Sequence, residues 1–338
     1  MRVLITAAFG KEGMRILEKY MEIVYEPWLK TRRVLSDNDF IRRIREENFD
    51  AIIVEVDFVG KRVFESCDLK FVGVCRNEVR NVAVDAATKK GVPVFYTPGR
   101  NADAVADLTI GLIIALLRKI CLADRMLRVE KVVVGGFDDF LDTYERLRGF
   151  ELGGKTVGIV GFGRIGYRVA KRLVPFGTRI LVYDPYVGDG DERLREVGAK
   201  KVDFETLLRE SDIVTVHCAV TPETLYMFKE EQFRRMKRTA YFINMASGAV
   251  VKEDALIKAL REGWIAGAAV DVSAREPIDS RNPLLEFDNV IVTPHIGGST
   301  HEVIDRQAKI LAEDIERFIR GERPKFVVNP EVLEKGQA

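Results

Sequence analysis

At 338 residues the chain is long enough for two domains of ordinary size, each with its own core. Its 53 Lys and Arg balance 52 Asp and Glu, so no basic excess points to nucleic acid or to a membrane surface. The four cysteines, Cys67, Cys75, Cys121 and Cys218, contain no C-x-x-C pair, which argues against a zinc site or a disulfide framework and for reduced thiols in a cytoplasmic protein.

The opening residues, R-V-L-I-T-A, read as a strand and have no signal-peptide layout. Strands are expected at Val3–Thr6, Ala51–Glu55, Phe71–Val74 and Val92–Tyr96. Helical patterns lie between them at Lys11–Met21, Asp37–Glu47 and Val84–Lys90. This alternation argues for an open, largely parallel sheet. A long helix from Ala102 to Arg118, apolar on several faces, reads as a buried connector between two domains. Its most apolar part, Ile110 to Leu117, runs into Arg118 and Lys119 and is too short to cross a membrane. Leu122 to Phe150 carries no strand signal, is broken by Gly135-Gly136, and reads as an arm or a subunit contact. From Lys155 the alternation resumes, with strands expected at Thr156–Val160, Arg179–Tyr183, Ile213–His217, Ala240–Met245, Ala266–Val272 and Val290–Thr293. Six such runs describe a doubly wound domain. The segment Thr300 to Arg320 has Ile304, Ala308, Leu311, Ile315 and Phe318 near helical spacing and is expected to return to the first domain.

Val157–Gly166 reads V-G-I-V-G-F-G-R-I-G. A lone G-x-G-x-x-G is a weak signal, because glycines also serve ordinary turns. Here it follows a β-rich run, precedes the helical pattern Tyr167–Leu173, and is followed by Asp184 at the end of R-I-L-V-Y-D, at the separation a dinucleotide site requires. Gly161 permits the tight turn, Gly163 lets backbone approach a pyrophosphate, and Gly166 allows close helix–strand packing. The helix start offers N–H groups to the anion. Asp184 would accept ribose hydroxyls and repel a 2′-phosphate, which favours NAD over NADP.

Of the three histidines, His217 ends a buried strand and reads as a packed or cofactor-flanking ring, and His301 opens the last helix. His295 lies in V-T-P-H-I-G-G-S-T, at the carboxyl end of a strand, where open α/β sheets place their ligands. Glu276, in D-V-S-A-R-E-P, is the candidate carboxylate to hold its tautomer and favour a proton-donating ring. The residues alone leave a catalytic and a packed role for His295 both open.

Together these stretches resemble the D-isomer-specific 2-hydroxyacid dehydrogenases over nearly the whole chain. The motifs that carry the likeness are N-V-A-V-D-A-A-T-K-K-G-V-P-V-F-Y-T-P-G with A-V-A-D-L-T, then G-F-G-R-I-G, H-C-A-V-T-P-E-T, I-N-M-A-S-G-A-V-V, A-A-V-D-V-S-A-R-E-P and T-P-H-I-G-G-S-T. The resemblance implies an α/β protein of two doubly wound parallel-sheet domains. One is a discontinuous, flavodoxin-like substrate domain (residues 1–99 and 299–338), and the other an NAD-binding Rossmann domain (residues 100–298). It implies a homodimer, a small 2-oxoacid or 2-hydroxyacid substrate, NAD as cofactor and no metal. It implies His295 as acid/base, Glu276 as its partner, Arg164 and Ile165 at the pyrophosphate, Asp184 at the adenosine ribose and Asp271 at the nicotinamide end. Cys218, Thr221, Met245, Ala246, Ser247, His295 and Gly298 would line the cofactor. Asp107 stands where many members carry glutamate, and Ala219 replaces a common proline; both are mild departures.

Ser247 is a larger departure. The family's third functional residue is an arginine in N-x-x-R-G, and the register puts Ser247 in its place. That arginine anchors the substrate carboxylate through charge-assisted hydrogen bonds. The loop C-R-N-E-V-R offers Arg76 and Arg80 instead, with Arg100 nearby in sequence. One reading is therefore an active 2-oxoacid reductase whose anchor has moved, with Arg76 the first candidate. The alternative is a catalytically impaired NAD-binding regulatory protein of the same fold. A hydrolase is disfavoured: Ser247, an acid at Asp271 or Glu276, and His295 follow the chain order of α/β-hydrolases, but M-A-S-G-A lacks the flanking glycines of a nucleophile elbow.

Overall fold

The computed structural model describes residues 1–132 and 134–334. They form two compact units: Met1–Asn101 with the segment that begins at Ser299, and Ala102–Gly298.

The first unit is built on five parallel strands, β1 (Arg2–Ile5), β2 (Glu22–Tyr25), β3 (Ala51–Val54), β4 (Phe71–Val74) and β5 (Val94–Tyr96), in the order β2-β1-β3-β4-β5. Central strands of a parallel sheet are covered on both faces, which is why A-I-I-V and F-V-G-V are buried throughout. β2 was not expected from the sequence. Its E-I-V-Y run lies on the sheet edge with both end residues exposed, so no burial pattern marks it. The expected helix Lys11–Met21 ends at Leu17, and a turn then leads into β2.

The helix His301–Ile319 lies in this unit, with Ala308, Leu311, Ala312 and Ile315 packed among Val3, Ile5, Leu17, Phe71 and Phe95. Phe71, Phe95 and Phe318 form a three-ring cluster with centroids 5.4–6.4 Å apart. After the helix, the buried Asp314 carboxylate accepts the amides of Lys325 and Phe326 at 2.9 and 2.7 Å.

The second unit holds seven parallel strands: β6 (Thr156–Val160), β7 (Arg179–Tyr183), β8 (Lys200–Lys201), β9 (Ile213–Val216), β10 (Tyr241–Asn244), β11 (Gly267–Val270) and β12 (Val290–Val292). Their order, β12-β11-β10-β9-β6-β7-β8, reverses between β6 and β9, the crevice where doubly wound sheets bind ligands. β8 is the strand beyond the six expected, two lysines on the sheet edge with no apolar signal to read.

One further expectation changes. The helix Ala102–Leu117 is not a connector but a layer of the second unit, with Val105, Ala106, Leu112, Ile113 and Leu116 in one core with Val157 and Ile159. The stretch 122–150, expected to serve as an arm or a subunit contact and without strand signal, contains two helices, Ile120–Arg128 and Phe137–Leu147. The second has no buried residue, so only its own periodicity could have revealed it. Among the described residues no helix is long and apolar enough to cross a membrane.

Candidate active site

At the reversal point of the second sheet, β6 ends and the chain turns at Gly161, whose φ is +90°. A Cβ there would also lie 2.6 Å from the Cys218 amide nitrogen, at the end of β9, so only glycine fits. The helix Arg164–Leu173 then starts from Gly163, with no side chain capping its first amides and no acidic residue in its first turn. A Cβ at Gly163 would meet nothing within 4 Å, so there is open space beside the start of the helix. Gly166 lies so close to the Gly161 carbonyl that a Cβ would approach it to 2.1 Å, which fixes the helix against the loop. Asp184, just past β7, accepts the Phe162 amide at 2.7 Å and the Tyr186 amide at 2.9 Å. A carboxylate fixed beside an uncapped helix start is the donor and acceptor set that a dinucleotide's ribose and pyrophosphate require, so these residues fit NAD.

Beyond β9, His217 takes a hydrogen bond between Nε2 and the Thr215 hydroxyl at 2.9 Å, while its buried Nδ1 meets no partner. Burial pushes this imidazole down to about 3, so it stays neutral near pH 7 and is unsuited to donate a proton there. Burial likewise raises the Cys218 thiol to about 11, which leaves it inert. Thr221 is held by Thr224, whose hydroxyl accepts the Thr221 amide at 2.7 Å.

Beyond β10, Asn244 shapes the turn that follows: its Oδ1 accepts the Ala246 amide at 3.1 Å and its Nδ2 donates to the Ser247 carbonyl at 2.9 Å. The Ser247 hydroxyl accepts the Ala249 amide at 3.2 Å and caps the short turn Gly248–Val250. This serine therefore has structural work as the N-cap of a turn. Met245 is buried beside it.

β11 and β12 supply the acid pair. His295 Nδ1 and Glu276 Oε2 are 2.7 Å apart, with the ring 60% and the carboxylate 40% exposed. His295 has φ +55°, an uncommon conformation for a side chain of this size, of the kind that concentrates at functional sites. The cause is Asp271, buried at the end of β11. Its carboxylate accepts the Thr293 hydroxyl at 2.6 Å and the amides of Ile296 and Gly297 at 2.8 Å each, and its carbonyl accepts the His295 amide at 2.9 Å. Asp271 thus clamps the loop on both sides of His295. The fold brings His295, Glu276 and Asp271 together at adjacent strand ends. The role of Thr293 was not foreseen; only its place two residues before the histidine hinted at it.

The three candidate arginines lie in the first unit, and the structure separates them. Glu55, just past the central strand β3, is the hub: its carboxylate accepts the Ala8 amide at 3.1 Å and Trp28 Nε1 at 3.0 Å, and pairs with Arg100 at 3.2 Å. Arg100 also reaches Gln307 through the same nitrogen, while its buried Nε meets no partner. Arg80 is exposed and pairs with Glu78 at 2.6 Å. Arg76 is exposed and donates to the Glu55 carbonyl at 3.3 Å. Desolvation first, then the nearby Arg100 charge, holds its guanidinium below the usual arginine range. Among the described residues no group of three or more His, Cys, Asp or Glu is placed to hold a metal.

A family model described as D-isomer specific 2-hydroxyacid dehydrogenase, NAD binding domain, matches residues 110–297. The chain is 39% identical to a glyoxylate reductase of Thermofilum pendens, over 98% of this chain and 95% of that one. It is 40% identical to the glyoxylate reductase of Thermococcus litoralis, over 98% of both. Among solved structures, the apo D-lactate dehydrogenase of Escherichia coli is similar at 26% identity with a TM-score of 0.79, covering 97% of this chain and all of that one. The apo D-mandelate dehydrogenase of Rhodotorula graminis is similar at 26% identity and a TM-score of 0.82, covering 97% of both.

Proposed function

The chain belongs to the D-isomer-specific 2-hydroxyacid dehydrogenase family, and from that premise we propose that it interconverts a small 2-oxoacid, glyoxylate first among them, with its D-2-hydroxyacid through His295. It is an NAD-dependent oxidoreductase acting on a CH–OH group, and NAD is its cofactor. When bound, NADH supplies the hydride to the carbonyl carbon. The chain's own residues handle the proton. His295, held through Nδ1 by Glu276, gives a proton from Nε2 to the carbonyl oxygen in reduction and takes the hydroxyl proton in oxidation. Glu276 fixes which nitrogen faces the substrate and stabilises the charged ring. The observation that carries this reading is the 2.7 Å His295–Glu276 pair at neighbouring strand ends. An intact pair also favours an enzyme over an impaired binding protein. The test is NADH oxidation across a panel of 2-oxoacids; binding of NADH without turnover of any of them would refute the proposal.

The substrate carboxylate is assigned to Arg76. Of the three candidate arginines it is the one that donates to a backbone carbonyl, where Arg80 and Arg100 pair with carboxylates. One charge-assisted hydrogen bond lost corresponds to about tenfold or more in binding. Arg76→Ala is therefore expected to raise KM for the 2-oxoacid about tenfold and leave KM for NADH unchanged. An unchanged KM for every substrate turned over would remove Arg76 from the site.

A homodimer is proposed through the second unit. The helix Phe137–Leu147 leaves Phe137, Phe140, Leu141 and Tyr144 exposed, with Phe137–Phe140 and Phe140–Tyr144 centroids 6.5 and 6.0 Å apart. A row of exposed aromatic residues of this kind marks an association surface. Light scattering should return twice the chain mass, and Phe140→Glu should return the mass of one chain; a single-chain mass for the parent protein would rule the dimer out.

A further inference from the structure

The loop that carries Glu276 is held at both ends by one side chain outside it. Glu253 opens the helix Glu253–Arg261, and its Oε2 accepts the Ala274 amide at 3.0 Å while its Oε1 accepts Asn282 Nδ2 at 2.9 Å. Ala274 precedes Glu276 by two residues and Asn282 follows it by six, so the carboxylate brackets the stretch from which Glu276 reaches His295. The far anchor is itself fixed, because Asn282 Oδ1 accepts the Leu284 amide at 2.9 Å and Leu284 is buried in the core. At the near end, backbone meets backbone: a Cβ on Gly248 would lie 2.0 Å from the Ser273 carbonyl oxygen and 2.6 Å from the Ala274 nitrogen. The turn capped by Ser247 therefore lies directly against the start of the same loop.

Within the bracket, Ser273 donates its hydroxyl to the Arg275 carbonyl at 2.8 Å and its amide to Glu276 Oε1 at 3.3 Å. These bonds set the shape of the loop but do not attach it to the sheet. Glu253 and the Gly248 contact attach it on either side of Glu276 and at its start, where Asn244 Nδ2 also donates to the Val272 carbonyl at 3.5 Å.

We infer that Glu253 is a positioning residue for the acid–base pair: it holds the Glu276 loop at the distance from which the carboxylate meets His295 Nδ1. This inference rests on the reading of His295 and Glu276 as that pair. Glu276 is 40% exposed, and apart from His295 its carboxylate meets only the Ser273 amide of the same loop, so its placement depends on the backbone that carries it. Misplacement of a reacting group by about an ångström can cost up to a hundredfold in rate. Glu253 does not touch the reacting atoms, and its effect passes through Glu276 alone.

A double-mutant cycle on the pH dependence of kcat/KM tests this, with Glu253→Ala, Glu276→Gln and the two together. Glu253→Ala is expected to lower kcat about tenfold, leave KM for NADH unchanged, and shift the pH profile in the direction that Glu276→Gln shifts it. The double variant should be no slower than Glu276→Gln. Glu253→Gln, which keeps an acceptor for the Ala274 amide, should recover most of the rate. Asn282→Ala, which cuts the far anchor together with the Leu284 cap and leaves the Ala274 bond intact, should give a smaller loss of the same kind, and it carries the test if Glu253→Ala does not fold. Losses that multiply in the double variant, or a slower Glu253→Ala with an unmoved pH profile, would reduce Glu253 to a structural residue and overturn the inference. The acid–base reading survives that result if Glu276→Gln alone still shifts the profile. If Glu276→Gln leaves both rate and profile unmoved, that reading falls and this inference with it.

Discussion

Replacing His295 with asparagine is expected to lower kcat for 2-oxoacid reduction about a thousandfold, while the dissociation constant for NADH stays within twofold. Asparagine tolerates a φ of +55° better than most residues, so the loop clamped by Asp271 keeps its shape. The amide nitrogen can still meet Glu276, but it cannot release a proton to a developing alkoxide. General acid–base catalysis contributes roughly a hundredfold to ten-thousandfold, and a variant that binds cofactor but lacks the proton donor should lose a factor in that range. Stopped-flow measurement of NADH oxidation, with calorimetric titration of NADH in parallel, separates the two quantities. A variant with near-parental kcat would show that the proton comes from elsewhere.

The second large effect is a gain. Ser247→Arg is expected to raise kcat/KM for small 2-oxoacids by tenfold to about a hundredfold, since each charge-assisted hydrogen bond contributes roughly 1.5–3 kcal/mol. The substitution removes the hydroxyl that caps Gly248–Val250, and loss of such a cap costs about 1 kcal/mol. The variant should therefore be both faster and slightly less stable, with a thermal midpoint lowered by a few degrees. The steady-state rate and the melting curve can be read on the same preparation. A variant that folds and binds NADH without any gain would mean that Arg76 already supplies all the carboxylate binding the site can use. Testing Ser247→Arg in the Arg76→Ala background distinguishes one shared anchor from two that add.

Much of this architecture was legible in the chain because its physics is local. The parallel sheets bury their central strands on both faces, so A-I-I-V and F-V-G-V stand out as unbroken apolar runs. The turn at Gly161 could be read because a φ of +90° admits little but glycine, and Asp184 because it ends the next strand at the required separation. The edges were not legible. β2 and β8 lie on sheet edges and carry charge, and what makes them strands is a neighbour's free hydrogen-bonding edge, which no window of sequence displays. The helix Phe137–Leu147 escaped notice because it buries nothing within its own chain.

In the site, single side chains were easier to foresee than their obligations. The pairing of His295 and Glu276 followed from two strand ends, whereas the grip of Asp271 on three residues of the histidine loop depends on how that loop folds back. Ser247 illustrates the same limit. The family resemblance implies an arginine at this position, but the amide that the Ser247 hydroxyl caps is visible only once the backbone has turned. Glu55 was unremarkable in sequence, yet the availability of Arg76 and the engagement of Arg100 both depend on it.

The helix His301–Ile319 fills one face of the first sheet, and this sets an order of assembly on the ribosome. Val3, Ile5, Phe71 and Phe95 emerge early, but the Leu311 and Ile315 that pack with them come more than two hundred residues later. At roughly 5–20 residues per second, that apolar face waits on the order of tens of seconds for its cover. The whole of Ala102–Gly298 is synthesised in the interval and has every strand of its own sheet before the helix His301–Ile319 appears. The nascent chain therefore carries a finished nucleotide-binding unit beside an open sheet, and it is in this period that chaperone protection matters most.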